Sequence, residues 1–427
     1  MPLRDFVAAR RIAGRLLAAA IFACALVPQT AAAAKPSKPA PTSTATDTWA
    51  ATWEASPEAP RAPFVALANQ TVRQVAHVSL GGIFVRVRLS NEFGDKPLTI
   101  GAAHLALGAG GAATQPGTDR PVLFGGKPQI TIPPGARALS DPISLTVPAM
   151  SDVTVSVYFP TVEGPVTSHY FAMQTGYMAP GDQTAAASLP GAATITYGLV
   201  MTGVDVSASR ATRVAVALGD SLTGGYGSTL DANHRWPDLL SIKLAARSNA
   251  GRAPIGVVNA GIGGNRLLHD FFGPNALARF DRDVLSQPSV GYLIVQIGIN
   301  DFGLPGGRGL PAEEVSADDV IAGYRQLIQR AHSYGIKVFI GTIPPFGPIP
   351  ERPGYYSDAS EAKRVAVNQW IRGNVKEFEG IIDFDAALRD SKTQIRLQSQ
   401  YDSGDHLDPN DAGYQAMSDS VEMRLFE

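Results

Sequence analysis

The chain has 427 residues, 45% of them hydrophobic and 17% charged, with a formal net charge of −2 and one cysteine, Cys24. This balance suits a soluble globular protein long enough for two cores and excludes a disordered or fibrous chain, a disulfide scaffold and a strongly basic nucleic-acid binder.

Arg4, Arg10, Arg11 and Arg15 precede an apolar run from Leu16 to Val27 and then Ala31-Ala32-Ala33-Ala34, the three parts of a secretory signal peptide over residues 1–34. Ile12-Ala13-Gly14 after the arginine pair is a poor twin-arginine match. Phe22 before Cys24 and the apolar residues after it fit a lipoprotein anchor badly, so the expectation is a secreted or periplasmic protein that is fully released. Removal of residues 1–34 takes away four arginines and one aspartate and leaves a net charge of −5 and no cysteine. No basic footprint for nucleic acid or for a membrane surface remains, and no other apolar run approaches the roughly 20 residues that span a bilayer.

Residues 35–47, rich in Pro, Ser, Thr and Ala, read as a flexible linker. From 48 to 206 the pattern is strand upon strand. Ile83, Val85, Val87 and Leu89 alternate with Phe84, Arg86, Arg88 and Ser90, and Val153, Val155 and Val157 alternate with Thr154, Ser156 and Tyr158. A period of two punctuated by glycine-rich turns predicts a β-sandwich. It carries no aromatic triplet that marks a glycan-binding face, so its expected roles are to pack on its neighbour and to shape the mouth of a site.

The texture changes over 207–427. Strand-like runs Val214 to Leu218, Ile255 to Val258, Tyr292 to Ile297, Ile336 to Ile343 and Ile381 to Phe384 alternate with helical patterns at Asp238 to Arg247, Ala317 to Tyr334, Ser360 to Val375 and Asp411 to Leu425. Such alternation predicts an α/β domain, a parallel sheet flanked by helices in three layers, with ligands bound beyond the carboxyl ends of the strands.

At the first of those ends stands Gly219-Asp220-Ser221-Leu222. A buried strand that runs into a sharp turn at a serine lifts the hydroxyl to where a substrate reaches it, the geometry of a nucleophile. By itself the stretch also reads as an ordinary strand-to-helix turn. A phosphate-cradling loop is excluded, because Gly227 is followed by Ser228-Thr229 with no lysine. Two further strand ends carry Asn259-Ala260-Gly261-Ile262-Gly263-Gly264-Asn265 and Gly298-Ile299-Asn300-Asp301. The backbone N–H groups of Ser221 and Gly264 with the amide of Asn300 would make an oxyanion hole.

In this order, the Ser221 block, Gly264 and the Asn300 block resemble the first three motifs of the SGNH hydrolases, the GDSL esterase/lipase family, over roughly residues 213–426. The sandwich before them is similar to the N-terminal extension of a secreted bacterial branch of that family. The resemblance implies a serine ester hydrolase that needs no cofactor. Members act on acetylated sugars, lipids, thioesters and small aryl esters, so the expected partner is a small-molecule, glycan or lipid ester.

The family's fourth motif is Asp-x-x-His followed by Pro, before the last helix. Here Asp405-His406-Leu407-Asp408-Pro409 aligns on its proline, and Asp408 occupies the histidine position. An aspartate, with a pKa near 3.9 against about 6.5 for histidine, is a far weaker base. His406, two residues away and on the same face if the backbone is extended, is the candidate stand-in base, oriented by Asp405; its alternative reading is a structural loop residue hydrogen-bonded to a neighbour. The expected catalytic set is therefore Ser221, Asp405 and His406. His234 and His269 fall in loops on the active-site face and are further candidates, while His332 falls in a helix and reads as surface. Asp402, Asp405, His406, Asp408 and Asp411 lack the ligand and glycine spacing of a calcium loop, so no metal is expected. The rival is a pseudoenzyme, a protein that binds an ester or glycan and lost turnover with its histidine.

Overall fold

The computed structural model describes residues 48–427 apart from Pro63 and Glu163, so the segments expected to be a signal peptide, 1–34, and a linker, 35–47, lie outside the described residues. The first half is antiparallel. One sheet runs in the order Thr48–Glu54, Met201–Ala208, Gly82–Ser90 and Arg137–Leu139, with Ile143–Val147 also paired to Gly82–Ser90. The other runs Ala193–Ile195, Gly176–Pro180, Gln70–Val78, Ser151–Phe159, Ala102–Leu107 and Arg120–Pro121. Val85, Val87 and Leu89 from the first sheet join Val153, Val155 and Val157 from the second in one buried core, as their alternation predicts. Ile83, expected inside with them, is exposed. Thr154 and Ser156 are also buried, because their strand lies inside its sheet and both of its faces are covered.

The second half is a parallel sheet in the order Ile255–Gly261, Arg213–Gly219, Val290–Gln296, Lys337–Gly341 and Gly380–Ile382. Helices Trp236–Asn249, Ala317–His332, Asp358–Gly373 and Asp411–Ser420 accompany it. The Ala317–His332 helix begins at a capping box between Ser316 and Asp319 and buries Val320, Tyr324, Leu327 and Ile328, one face at helical spacing. The last helix ends at Ser420 and gives way to a short 3₁₀ turn at Met423–Phe426. Two elements escape the sequence patterns. Ile299–Gly307 is helical despite Pro305 and three glycines, and Phe384–Leu388 is helical where its first residue reads as strand. Both are short, and their apolar residues are buried in the fold rather than favoured by propensity.

The two halves share a core. The Ala51 N–H donates to the Pro288 carbonyl, the Ser289 hydroxyl to the Trp49 carbonyl, and the Val257 N–H to the Ser79 hydroxyl. What matters for function is the register of the parallel strands. Gly219 lies level with Gly261 on one side and with Gln296 on the other, so three neighbouring loops leave the sheet side by side at its carboxyl edge. Ser221, Gly264 and Asn300 stand on those three loops.

Candidate active site

The strand Arg213–Gly219 ends in Asp220, which caps a one-turn helix, Ser221–Gly224, by accepting the Leu222 N–H at 3.1 Å. Ser221 therefore occupies the first helical position, where its N–H has no partner within the helix. Asp220 is fully buried, and that burial pushes its carboxyl up to about 8 against the opposing Leu222 N–H, with the charge of Asp301 adding to the rise.

Gly264 adopts φ +75°, and a Cβ there would lie 2.3 Å from the Phe272 ring. Only glycine brings the backbone so close without strain. Its loop is tied down by Asp301, whose carboxylate accepts the N–H groups of Leu267 at 2.7 Å and Leu268 at 3.0 Å. Burial, the largest influence, raises the Asp301 carboxyl to about 6 despite those two donors. Asn300, beside it, donates its amide to the Asn265 carbonyl at 3.1 Å and accepts the Tyr355 hydroxyl at 2.8 Å. An amide nitrogen carries two N–H groups, so one is left for the cavity that Asn300 lines.

That cavity, of about 360 Å³, is bounded by Ser221, Gly264, Asn300, Tyr355 and Asp408, with Phe171, Tyr226, Phe272 and Leu304 as apolar walls and Arg61, Arg308 and Arg352 at the rim. Arg61 and Phe171 come from the antiparallel half. Phe171 meets Tyr226 edge to face at 5.0 Å, and Arg61 stacks over Phe272 at 4.7 Å. The sandwich thus shapes the mouth of the cavity.

Residues 217–416 match the sequence model of the GDSL-like Lipase/Acylhydrolase family. That match takes in the Ser221, Gly264 and Asn300 loops and Asp408. Solved structures similar to the chain include the native aryl esterase of M. smegmatis, at 14% identity over 49% of this chain and 95% of that one with a TM-score of 0.39. A carbohydrate acetylesterase family member from Sinorhizobium meliloti is 17% identical over 49% and 95% with a TM-score of 0.39. LAE5, an alpha/beta hydrolase enzyme from the metagenome of Lake Arreo, is 24% identical over 49% and 92% with a TM-score of 0.38. No curated protein matches the chain.

The histidine expected as base, His406, lies outside this cavity. His406 has φ +63°, which breaks the alternation that would have put it on the face of Asp408. Its Nδ1 pairs with the Asp402 carboxylate at 2.7 Å, its ring is 41% exposed, and it is not among the residues that line the cavity. Burial acts to raise Asp402, but hydrogen bonds from the His406 ring and from the N–H groups of Gly404 and His406 outweigh it and hold the carboxyl low. His234 pairs with Asp411 at 3.0 Å and His332 with Glu379 at 3.2 Å. Neither of these lines the cavity, and neither does His269.

Asp408 lines it instead, with its side chain buried and Oδ1 left without a hydrogen-bond partner. Asp405 braces the turn that carries it, since its Oδ1 accepts the N–H groups of Leu407 at 2.9 Å and Asp408 at 2.8 Å while its Oδ2 faces Arg352 at 3.3 Å. Burial first, then the charge of Asp405, push the Asp408 carboxyl well above the usual range, against the hydrogen-bonding pull of the Ser221 hydroxyl.

Tyr355 and Arg279 escape the sequence reading, and Asn259 enters it only as part of its loop. Tyr355 orients Asn300, and Asn259 donates to the Thr223 carbonyl at 2.7 Å to hold the turn after the serine. Arg279, fully buried, donates to the carbonyls of Gly219 at 2.8 Å and Ala260 at 2.7 Å and to Asn265 Oδ1 at 3.0 Å. It clamps together two of the three loops. The acidic residues considered for calcium are otherwise engaged: Asp402 holds His406, and Asp411 accepts from Thr229 and His234. Among the described residues, no group of three or more His, Cys, Asp or Glu side chains is arranged to hold a metal ion, and no helix is long and apolar enough to cross a membrane.

Proposed function

We propose that the protein is an exported ester hydrolase that works through an acyl-serine intermediate on Ser221, with a small-molecule, glycan or lipid ester as substrate. The observation that carries this reading is the sharing of one cavity by the Ser221, Gly264 and Asn300 loops. An ester carbonyl seated beside the Ser221 hydroxyl would point its oxygen at the N–H groups of Ser221 and Gly264 and at the Asn300 amide. Charge develops on that oxygen only as the tetrahedral intermediate forms, so donors fixed in advance lower the barrier rather than merely binding substrate. Asp301, Tyr355 and Arg279 do the fixing.

The test is a fluorophosphonate probe with intact-mass readout, run alongside hydrolysis of a short-chain p-nitrophenyl ester. Ser221 takes one equivalent of probe, and Ser221→Ala abolishes both labelling and hydrolysis; full activity in that variant would overturn the assignment. A second reading, a protein that binds esters without turnover, is favoured by the carboxyl at position 408. It predicts saturable ester binding with no labelling and no hydrolysis at any pH at which the fold survives.

A further inference from the structure

The place beside Ser221 that holds an imidazole in the family holds a carboxyl in this chain, and the described histidines all lie elsewhere. Of the side chains lining the cavity, Asp408 and Glu351 are the carboxyls; Asp408 shares that cavity with Ser221, and its Oδ1 is buried without a hydrogen-bond partner. The loop that presents Asp408 is fixed from several sides. Its carbonyl accepts the Ser403 N–H at 3.1 Å, its N–H is held by Asp405, and Asn410 donates to the carbonyls of Gln400 at 3.0 Å and Asp402 at 3.1 Å. A Cβ at Gly227, in the loop after the serine, would lie 2.8 Å from both the Pro409 carbonyl oxygen and Ser403 Cβ, so the two loops are packed against each other.

We infer that Asp408 is the general base and acid of the reaction at Ser221, with Asp405 as its positioning residue, so that the chain runs a Ser-Asp-Asp relay without histidine. This rests on the reading of Ser221 as the nucleophile. Ionised Asp408 takes the proton of Ser221 Oγ as that oxygen bonds to the ester carbonyl carbon. The carbonyl oxygen takes up the negative charge. As the intermediate collapses, the bond to the alcohol oxygen breaks and Asp408 returns the proton to it. A water then enters, gives a proton to Asp408 and adds to the acyl carbon. On the second collapse the Ser221 Oγ–acyl bond breaks, and the proton goes back to Oγ as the carboxylic acid departs.

An ordinary carboxylate is too weak a base for this work, and the surroundings of Asp408 remove that objection. Burial and the facing charges of Asp405 on its own loop and Asp220 on the serine turn all favour the protonated form, and a raised pKa makes the ionised form a stronger base. Burial first, then the negative charges of Asp220 and Asp408, raise the pKa values of the Tyr355 and Tyr414 hydroxyls beside it. Arg352 faces Asp405 from outside. Activity must therefore rise with pH as Asp408 ionises, through a range above that of a solvent-exposed aspartate.

The experiment is the pH dependence of kcat/KM for ester hydrolysis, and of the rate of Ser221 labelling, in the full-length protein and its variants. Asp408→Asn, of the same shape, is expected to lower both rates by about 10²-fold to 10⁴-fold, to abolish the rising limb and to leave the thermal midpoint no lower. Asp405→Asn removes a like charge and is expected to move the limb to lower pH. Asp408→His is expected to keep an active enzyme whose limb shows the large heat of ionisation of an imidazole in place of the near-zero heat of a carboxyl, and it serves even if Asp408→Asn fails to fold. Wild-type rates and an unchanged limb in Asp408→Asn would overturn the assignment, as would a large loss in His406→Ala with none in Asp408→Asn. Hydrolysis that survives Ser221→Ala would instead overturn the nucleophile, and the base with it.

Discussion

Asn300 shows how one side chain is prepared for a charge that is not yet there. Its amide oxygen is occupied by the Tyr355 hydroxyl and one N–H by the Asn265 carbonyl, so the group cannot flip without losing both bonds, and the free N–H is held toward the cavity. Asn300→Ala is therefore expected to lower kcat by about 10²-fold with little change in KM, because the donor acts on the transition state. Tyr355→Phe leaves the donor in place but releases its orientation, and a smaller loss in kcat, again at constant KM, is expected. Steady-state kinetics on a p-nitrophenyl ester checks both, and a pure KM effect in Asn300→Ala would reduce Asn300 to a binding residue.

At the scale of elements, the clamp is Arg279, which ends the short helix Ala276–Phe280. Its guanidinium joins the strand end before Asp220, the strand end before Gly264, Ser56 of the antiparallel half at 3.2 Å, and Asp283 at 2.8 Å. With Arg282 it holds the Asp283 carboxyl down to about 2 although burial, the largest influence, acts to raise it. Arg279→Met leaves Asp283 and Glu54 buried without this cation, and removal of one partner from a buried pair costs about 3–5 kcal/mol. Urea unfolding is expected to show that loss, with kcat falling as well because two loops lose their common anchor. Nothing in the sequence announced this residue, since an arginine in the last turn of a helix reads as a solvated cation. The strands and loops bearing Ser221, Gly264 and Asn300 were legible because apolar runs such as Val214 to Leu218 end in glycine-rich turns. The helix Ile299–Gly307 was not, since Pro305 and its glycines hide it and only the packing of Ile299, Phe302 and Leu304 stabilises it. The loop around His406 departs from extended alternation at a single backbone angle, which the sequence does not display: a left-handed residue redirects the ring to Asp402.

For the whole molecule, the number of acids buried close to the site sets an opposition between stability and turnover. Burial is the main cause that lifts Glu58 to about 7, Asp220 to about 8 and Asp301 to about 6, and it raises Glu54 and Asp408 as well. In the unfolded chain the same groups titrate near 4. Between those values the folded protein binds more protons than the unfolded chain, so stability falls as pH rises. His169 works the other way. Burial depresses it to about 4, so the folded state stays neutral where the unfolded histidine, near 6.5, takes up a proton, and stability is lost as pH falls from 6.5 toward 4. Below about pH 6.5 the two influences oppose each other; above it the acids act alone. The thermal midpoint is therefore expected to decline from pH 6.5 to 8.5. Asp220→Asn, which keeps an amide oxygen to cap the Leu222 N–H, should flatten the upper part of that decline, and calorimetry on both proteins decides the matter. A midpoint that holds constant or climbs over this interval would mean that these carboxyls are ionised in the fold at ordinary values. If it declines as expected while kcat/KM rises over an overlapping range, the ionisation that arms Asp408 is one of those that loosen the fold, and the pH of greatest stability lies below the pH of greatest activity.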